Sequence, residues 1–167
     1  MIAFEQSLPM RLYRLLDMIM PAYRALFAEH DLTEQQWRLL RVVWERERVT
    51  AQDAAAATLL SPQSLVGIVD RLSAKGLVTR LRSVDDRRVV YLLPTAEGRA
   101  LGETILPHVL AIHEQTRATL DDDEWTTLNG LFDKIQDEFL EERTNARDTQ
   151  AVSRRRTEGR LIGRRRS

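Results

Sequence analysis

Cysteine is absent from the 167 residues, which excludes disulfide bonds, thiol redox sensing and any thiolate metal site. Glycine and proline are scarce, seven and five. Leu, Ala, Arg and Glu are frequent instead, the composition of a mainly helical protein. No stretch approaches the ~18 consecutive apolar residues of a membrane-spanning helix. The amino terminus also lacks the basic n-region and small-residue cleavage site of a secretory signal. A cytoplasmic location without membrane contact is therefore expected. Catalytic signatures are missing too: there is no Gly-rich phosphate loop and no nucleophile elbow. The three histidines are His30, His108 and His113. The last two are five apart, so a straight helix does not hold them on one face as a zinc pair requires, and they read as polar helix positions. The run Asp121-Asp122-Asp123-Glu124 suits helix capping better than a cation site. Neither enzymatic activity nor a metal or cofactor is expected.

What is present begins with charge. The net charge is zero, but the charges are segregated along the chain. Residues 33–93 hold 10 Lys and Arg against 7 Asp and Glu, residues 94–142 hold 3 against 12, and residues 143–167 hold 9 against 2. The field a polyanion meets depends on where charge sits. A basic middle and a basic tail around an acidic helical region suit nucleic acid.

Apolar residues recur at Leu8, Leu12, Leu15, Ile19, Tyr23 and Leu26, in steps of three and four that mark an amphipathic helix. Pro21 inside it predicts a kink or break near Met20. Thr33 with Gln36 forms a capping box, with Leu32 positioned to staple against Trp37. The helix that follows runs to about Arg46 and buries Trp37, Leu40 and Trp44. Thr50 caps a short alanine-rich helix, Ala54 to about Leu59. Ser61 caps the next, with Pro62 at the first helical position, where its missing N–H costs nothing. Leu65, Ile68, Val69 and Leu72 are its buried stripe, and Gly76 its left-handed stop. Leu77 to Arg82 and Arg87 to Leu93 then read as a hairpin with the charged tip Ser83-Val84-Asp85-Asp86. Pro94-Thr95 opens a long helix through Leu101, Ile105, Val109 and Ile112, bent at Pro107. A last helix, capped at Asp121 to Glu124, carries Leu128, Leu131, Phe132, Ile135 and Phe139. Residues 143–167 lose all apolar periodicity and read as a flexible arginine-rich tail.

Two short helices joined by a tight turn and followed by a hairpin, all within residues 50–93, make a winged helix-turn-helix. The fold class is mainly α with a small β-hairpin wing, plus long dimerisation helices. In such a unit the second helix lies in the DNA major groove, where the four base pairs present distinct donor and acceptor patterns. Candidate DNA-binding residues are Ser61, Pro62, Gln63 and Ser64 at its amino terminus. Arg71 and Lys75 lie further along, and Arg82, Asp85, Arg87 and Arg88 belong to the wing. Gln63 can pair bidentately with adenine, and an arginine at the wing tip can enter a narrow minor groove. Asp85 can orient Arg87 through charge-assisted hydrogen bonds. The competing reading makes Arg80, Arg82 and Arg88 the solvated face of a hairpin.

Three segments resemble the MarR family. They are Leu32-Thr33-Glu34-Gln35-Gln36-Trp37-Arg38, the helix from Ser61 to Gly76, and the wing Asp85-Asp86-Arg87-Arg88 followed by Leu93-Pro94-Thr95-Ala96-Glu97-Gly98. The resemblance spans roughly residues 8–142. Pro94 departs from it, inserted between a Leu and a Thr that are usually adjacent. The amino-terminal half looks most like regulators of homoprotocatechuate and other aromatic-acid degradation operons. The resemblance implies a domain over residues 1–142, with 33–93 as the DNA-binding lobe and 1–32 and 94–142 as dimerisation helices. It implies an obligate homodimer on a pseudo-palindromic double-stranded operator. It also implies release by a small, often phenolic or carboxylate, effector. Tyr13, Arg14, Met18, His30, Trp37, Arg38 and Arg41 are the candidates for that effector's cleft. An arginine beside aromatic surface suits an aromatic acid. Equally, Trp37 can be core, and Arg14 and Arg38 interhelical ion-pair partners.

A different class of function, non-specific or architectural DNA binding, rests on Arg154-Arg155-Arg156 and Arg164-Arg165-Arg166. If the tail only adds sequence-independent affinity, deleting residues 143–167 flattens the salt dependence of binding and leaves operator choice unchanged. Binding isotherms at several salt concentrations on two unrelated duplexes test this, and a changed preferred sequence refutes it.

Overall fold

A computed structural model of the chain describes residues 3–86 and 88–140, which fall into two compact units divided between Thr116 and Arg117. The first unit opens with a 3₁₀ turn, Phe4–Gln6, and the helix α1, Leu8–Glu29. Pro21 lies inside α1 without ending it, so of the kink or break expected there the break is absent. Its ring removes one hydrogen bond, to the Asp17 carbonyl, and both residues face solvent, where water can replace the lost donor.

Helix α2 spans Glu34–Arg46. Its capping box is formed in full, the Gln36 amide donating to Thr33 Oγ1 at 3.2 Å and the Thr33 amide to Gln36 Oε1 at 2.9 Å. Leu39, Leu40 and Val43 of α2 are completely buried and form the centre of the core. Trp44, expected inside, is only half-buried; the Arg41 guanidinium sits 5.3 Å from its ring centroid.

The strand β1, Val49–Thr50, escapes the sequence reading because two residues carry no periodicity. It pairs antiparallel with β3, Val90–Pro94, which also pairs with β2, Val78–Arg82, so the sheet order is β1-β3-β2. Between β1 and β2 lie α3, Ala51–Thr58, and α4, Pro62–Ala74. Thr50 caps α3 by accepting the Asp53 amide at 3.0 Å, so that helix starts three residues earlier than expected.

The last strand runs to Pro94 rather than ending at Leu93, so Pro94 closes the sheet and does not open the helix. Thr95 then caps α5, Ala96–Arg117, accepting the Gly98 amide on Oγ1 at 2.9 Å. Gly98 is required here: a Cβ would overlap the Leu77 carbonyl oxygen and lie 3.0 Å from its carbon. One turn on, a Cβ at Gly102 would lie 3.1 Å from the Trp44 ring. Arg99 pairs with Glu47, whose carboxyl that bond holds below the usual carboxylate range. In the second unit, residues 122–140 form the helix α6. It opens on a capping box in which the Glu124 amide donates to Asp121 Oδ1 at 2.8 Å and the Asp121 amide to Glu124 Oε2 at 3.0 Å.

Candidate nucleic-acid interface

Helices α3 and α4 are held by their small and branched faces. Ala54, Ala55 and Thr58 of α3 are buried with Leu65, Ile68, Val69 and Leu72 of α4. The Thr58 hydroxyl satisfies itself inside this contact by donating to the Ala54 carbonyl at 2.7 Å. Leu59 makes the turn in the left-handed region, with φ of 55°. Ser61 then accepts the Ser64 amide at 3.1 Å and donates its own proton to Ser64 Oγ at 2.8 Å. That arrangement leaves the Ser64 proton to point outward. Ser61, Pro62, Gln63 and Ser64 are all exposed, at the end of a helix whose free amides favour a phosphate.

Two ion pairs fix α4. Asp70 binds Arg80 of β2. Lys75 binds Asp31 at the α1–α2 turn, with Nζ 2.7 Å from Oδ2 and a second bond to the Asp31 carbonyl. Lys75, expected to reach phosphate or a base edge, is thus occupied by a protein carboxylate 44 residues away in sequence. Arg71 folds back along the helix so that its guanidinium lies 3.9 Å from where a Gly67 Cβ would be.

The wing is shaped by its own side chains. Ser83 Oγ accepts the Asp85 and Asp86 amides at 3.3 and 3.4 Å, and Asp86 Oδ1 accepts the Arg88 amide at 2.9 Å. The tip therefore extends to Val89, not Asp86, and Arg88 belongs to the turn rather than to a strand. Arg82, Asp85 and Arg88 are exposed. Arg87, and with it the expected Asp85–Arg87 contact, lies outside the described residues, as does the 143–167 tail. Sequence reasoning passed over Arg48, whose guanidinium sits 3.8 Å above the Tyr91 ring beside the sheet. It also passed over Val66, an apolar residue off the buried stripe of α4 and 59% exposed.

The expected effector residues divide into two groups. Tyr13 and Met18 are exposed on α1, and Arg14 beside them pairs with Glu5 at 3.6 Å. Trp37 is core, stacked on Phe27 with ring centroids 5.3 Å apart, and Phe27 in turn contacts Tyr23. His30 closes α1 as its carboxy-terminal cap. Arg41 pairs with Glu45. Arg38, next to Trp37, has a buried Nε with no hydrogen-bond partner among the described residues. A surface pocket at the α1–α2 corner is lined by Arg24, Leu32, Thr33, Glu34 and Gln35, and by none of the expected effector residues.

Residues 30–89, which contain this helix pair and most of the wing, match the family model described as "MarR family". The chain is 30% identical over 131 residues to the homoprotocatechuate degradative operon repressor of Escherichia coli, covering 78% of this chain and 88% of that protein. The chain belongs to the MarR family. It is a DNA-binding transcriptional regulator and not an enzyme. Among solved structures it resembles NadR in complex with 4-hydroxyphenylacetate, with a TM-score of 0.71 at 30% identity over 81% of this chain and 96% of that one. It likewise resembles CouR from Rhodococcus jostii bound to p-coumaroyl-CoA, with a TM-score of 0.71 at 28% identity over 81% and 94%. Among the described residues of this MarR-family chain, no helix is long and apolar enough to cross a membrane, and no His, Asp and Glu cluster could hold a metal.

Proposed function

We propose that this regulator is a homodimeric repressor of a catabolic operon, released from a pseudo-palindromic operator by a small aromatic carboxylate. In this reading Ser61, Pro62, Gln63, Ser64 and Arg71 serve the major groove, and Arg82, Asp85, Arg87 and Arg88 the flanking wing contact. The observation that carries the effector assignment is Arg38. A buried guanidinium nitrogen without a partner is costly, and a carboxylate supplies the missing acceptor with opposite charge. The relatives support the ligand class: one is named for homoprotocatechuate degradation, and another is solved with 4-hydroxyphenylacetate.

Such a ligand lowers DNA affinity only by binding better to a conformation whose two lobes misfit successive grooves. The test is fluorescence anisotropy of a labelled fragment from upstream of the gene, titrated with protein and then with a panel of aromatic acids. Sequence-selective binding that one acid reverses is the expected result. Arg38→Ala retains operator affinity and loses at least tenfold in sensitivity to that acid, the scale of one charge-assisted hydrogen bond, about 1.5–3 kcal/mol. Tight binding that no acid reverses returns Arg38 and Trp37 to purely structural roles. Weak binding that is uniform across unrelated DNA favours the tail-driven alternative.

A further inference from the structure

The groove-facing side of α4 is defined by elimination. Leu65, Ile68, Val69 and Leu72 are buried against the core. Positions 63, 66, 67 and 70 follow one another at helical spacing on the opposite side. Gly67 brings no side chain, and Asp70 is tied to Arg80. The groups left on that side are the Gln63 amide, the Val66 isopropyl group and the Arg71 guanidinium, which lies over Gly67.

Val66 is an unusual choice there. It is 59% exposed, so the fold gains little from its bulk. A β-branched residue is also a poorer helix former than the straight-chain polar residues common on solvated helix faces. Its neighbours at helical spacing on the surface are Pro62, Gln63 and Asp70, all exposed, and the last two are polar. Gly67 beside it has no side chain of its own, and the Arg71 guanidinium folds back to 3.9 Å from where its Cβ would be. In the DNA major groove a single apolar group is presented by the bases, the C5-methyl of thymine.

We infer that Val66 is a specificity-determining residue that reads a thymine methyl group in each operator half-site, next to the base read by Gln63. The inference rests on α4 being the groove-reading helix. Gln63 suits adenine and Val66 suits thymine, so the centre of each half-site contains A·T pairs. The Arg71 guanidinium, lying over Gly67, stands beside this contact as a partner for a phosphate or a neighbouring base edge.

Deoxyuridine differs from thymidine by this one methyl, so the test removes a single group from each partner in turn. Full-length protein selects a duplex from a randomised pool, and affinities are measured on that duplex and on versions with each thymine singly replaced by deoxyuridine. For the native protein, one thymine per half-site is sensitive, with about a fourfold loss for each methyl removed and about sixteenfold for both half-sites. Val66→Ala binds the parent duplex that much more weakly and no longer distinguishes thymine from uracil at that position. Val66→Ser, which removes both methyl groups and leaves a short hydroxyl, is likewise insensitive. Uracil effects that are the same in native protein and both variants overturn the inference while leaving α4 as the reading helix. Failure to enrich any duplex removes the α4 assignment itself, and this one with it.

Discussion

Gly98→Ala lowers the thermal unfolding midpoint by about 10 °C at fixed protein concentration, a loss of about 3 kcal/mol. The added methyl meets the Leu77 carbonyl oxygen, a backbone atom that cannot rotate away. Retreat is blocked on both sides of the contact. The Thr95 amide donates to that same carbonyl at 3.2 Å, and the Thr95 hydroxyl donates to the Gly76 carbonyl at 2.6 Å. Relieving the overlap therefore means breaking the capping arrangement or displacing β2. Gly130→Ala is the matched control, because nothing lies within 4 Å of a Cβ there and the residue sits inside α6. That change raises stability by about 0.5–1 kcal/mol through helix propensity alone. Opposite signs from one chemical change, read by differential scanning calorimetry, isolate the close approach as the cause. A midpoint within 2 °C of native for Gly98→Ala would show that β2 and α5 separate easily.

Leu131→Asp combined with Ile135→Asp converts the chain to a monomer and weakens operator binding at least a hundredfold. Leu131, Phe132, Ile135 and Phe139 are all exposed along α6, at the spacing of one helix face. Leu8, Leu12, Leu15 and Leu16 are similarly exposed on α1. Each such side chain gains about 1.5–3 kcal/mol when buried, so bare helices of this kind are stable chiefly as halves of an interface. Two carboxylates in that face add a desolvation cost that no local partner offsets. The DNA effect follows from linkage: two half-sites engaged by one dimer bind about 10²–10⁴ times better than either alone. Sedimentation velocity reads the oligomeric state, and a variant that still sediments as a dimer takes α6 out of the proposed interface.

The helices were legible because their signals are local. Thr33, Thr50, Ser61 and Asp121 each bond an amide three residues ahead, so four consecutive letters suffice to place a helix start. The winged helix-turn-helix was readable for the same reason, as a succession of caps, apolar stripes and one change of period. Features that depend on residues far apart were not. Lys75 looked like a free cation because Asp31 lies 44 positions away. The strand β1 exists through its pairing of Val49 with Leu92 and Thr50 with Tyr91. Pro21 carried a strong local signal for a break, overruled because its turn of α1 faces water. Arg38 was singled out for its neighbours, and its unsatisfied nitrogen is visible only once the helices are packed.

The seat of Gly98 on Leu77 also decides how force passes through the molecule. Backbone packed on backbone has no soft side chain to absorb a displacement, so the first turns of α5 and the sheet behave as one lever. The Arg99–Glu47 pair and the Gly102–Trp44 contact clamp the same stretch to the end of α2. Beyond these clamps α5 continues through Pro107, whose ring leaves the Glu103 carbonyl without its helical partner, while Ile105 is buried and Val109 and Ile112 pack against the core. Anchorage thus extends along α5 past Pro107 as far as Ile112, so a displacement of that helix carries the sheet and the reading head with it instead of deforming them.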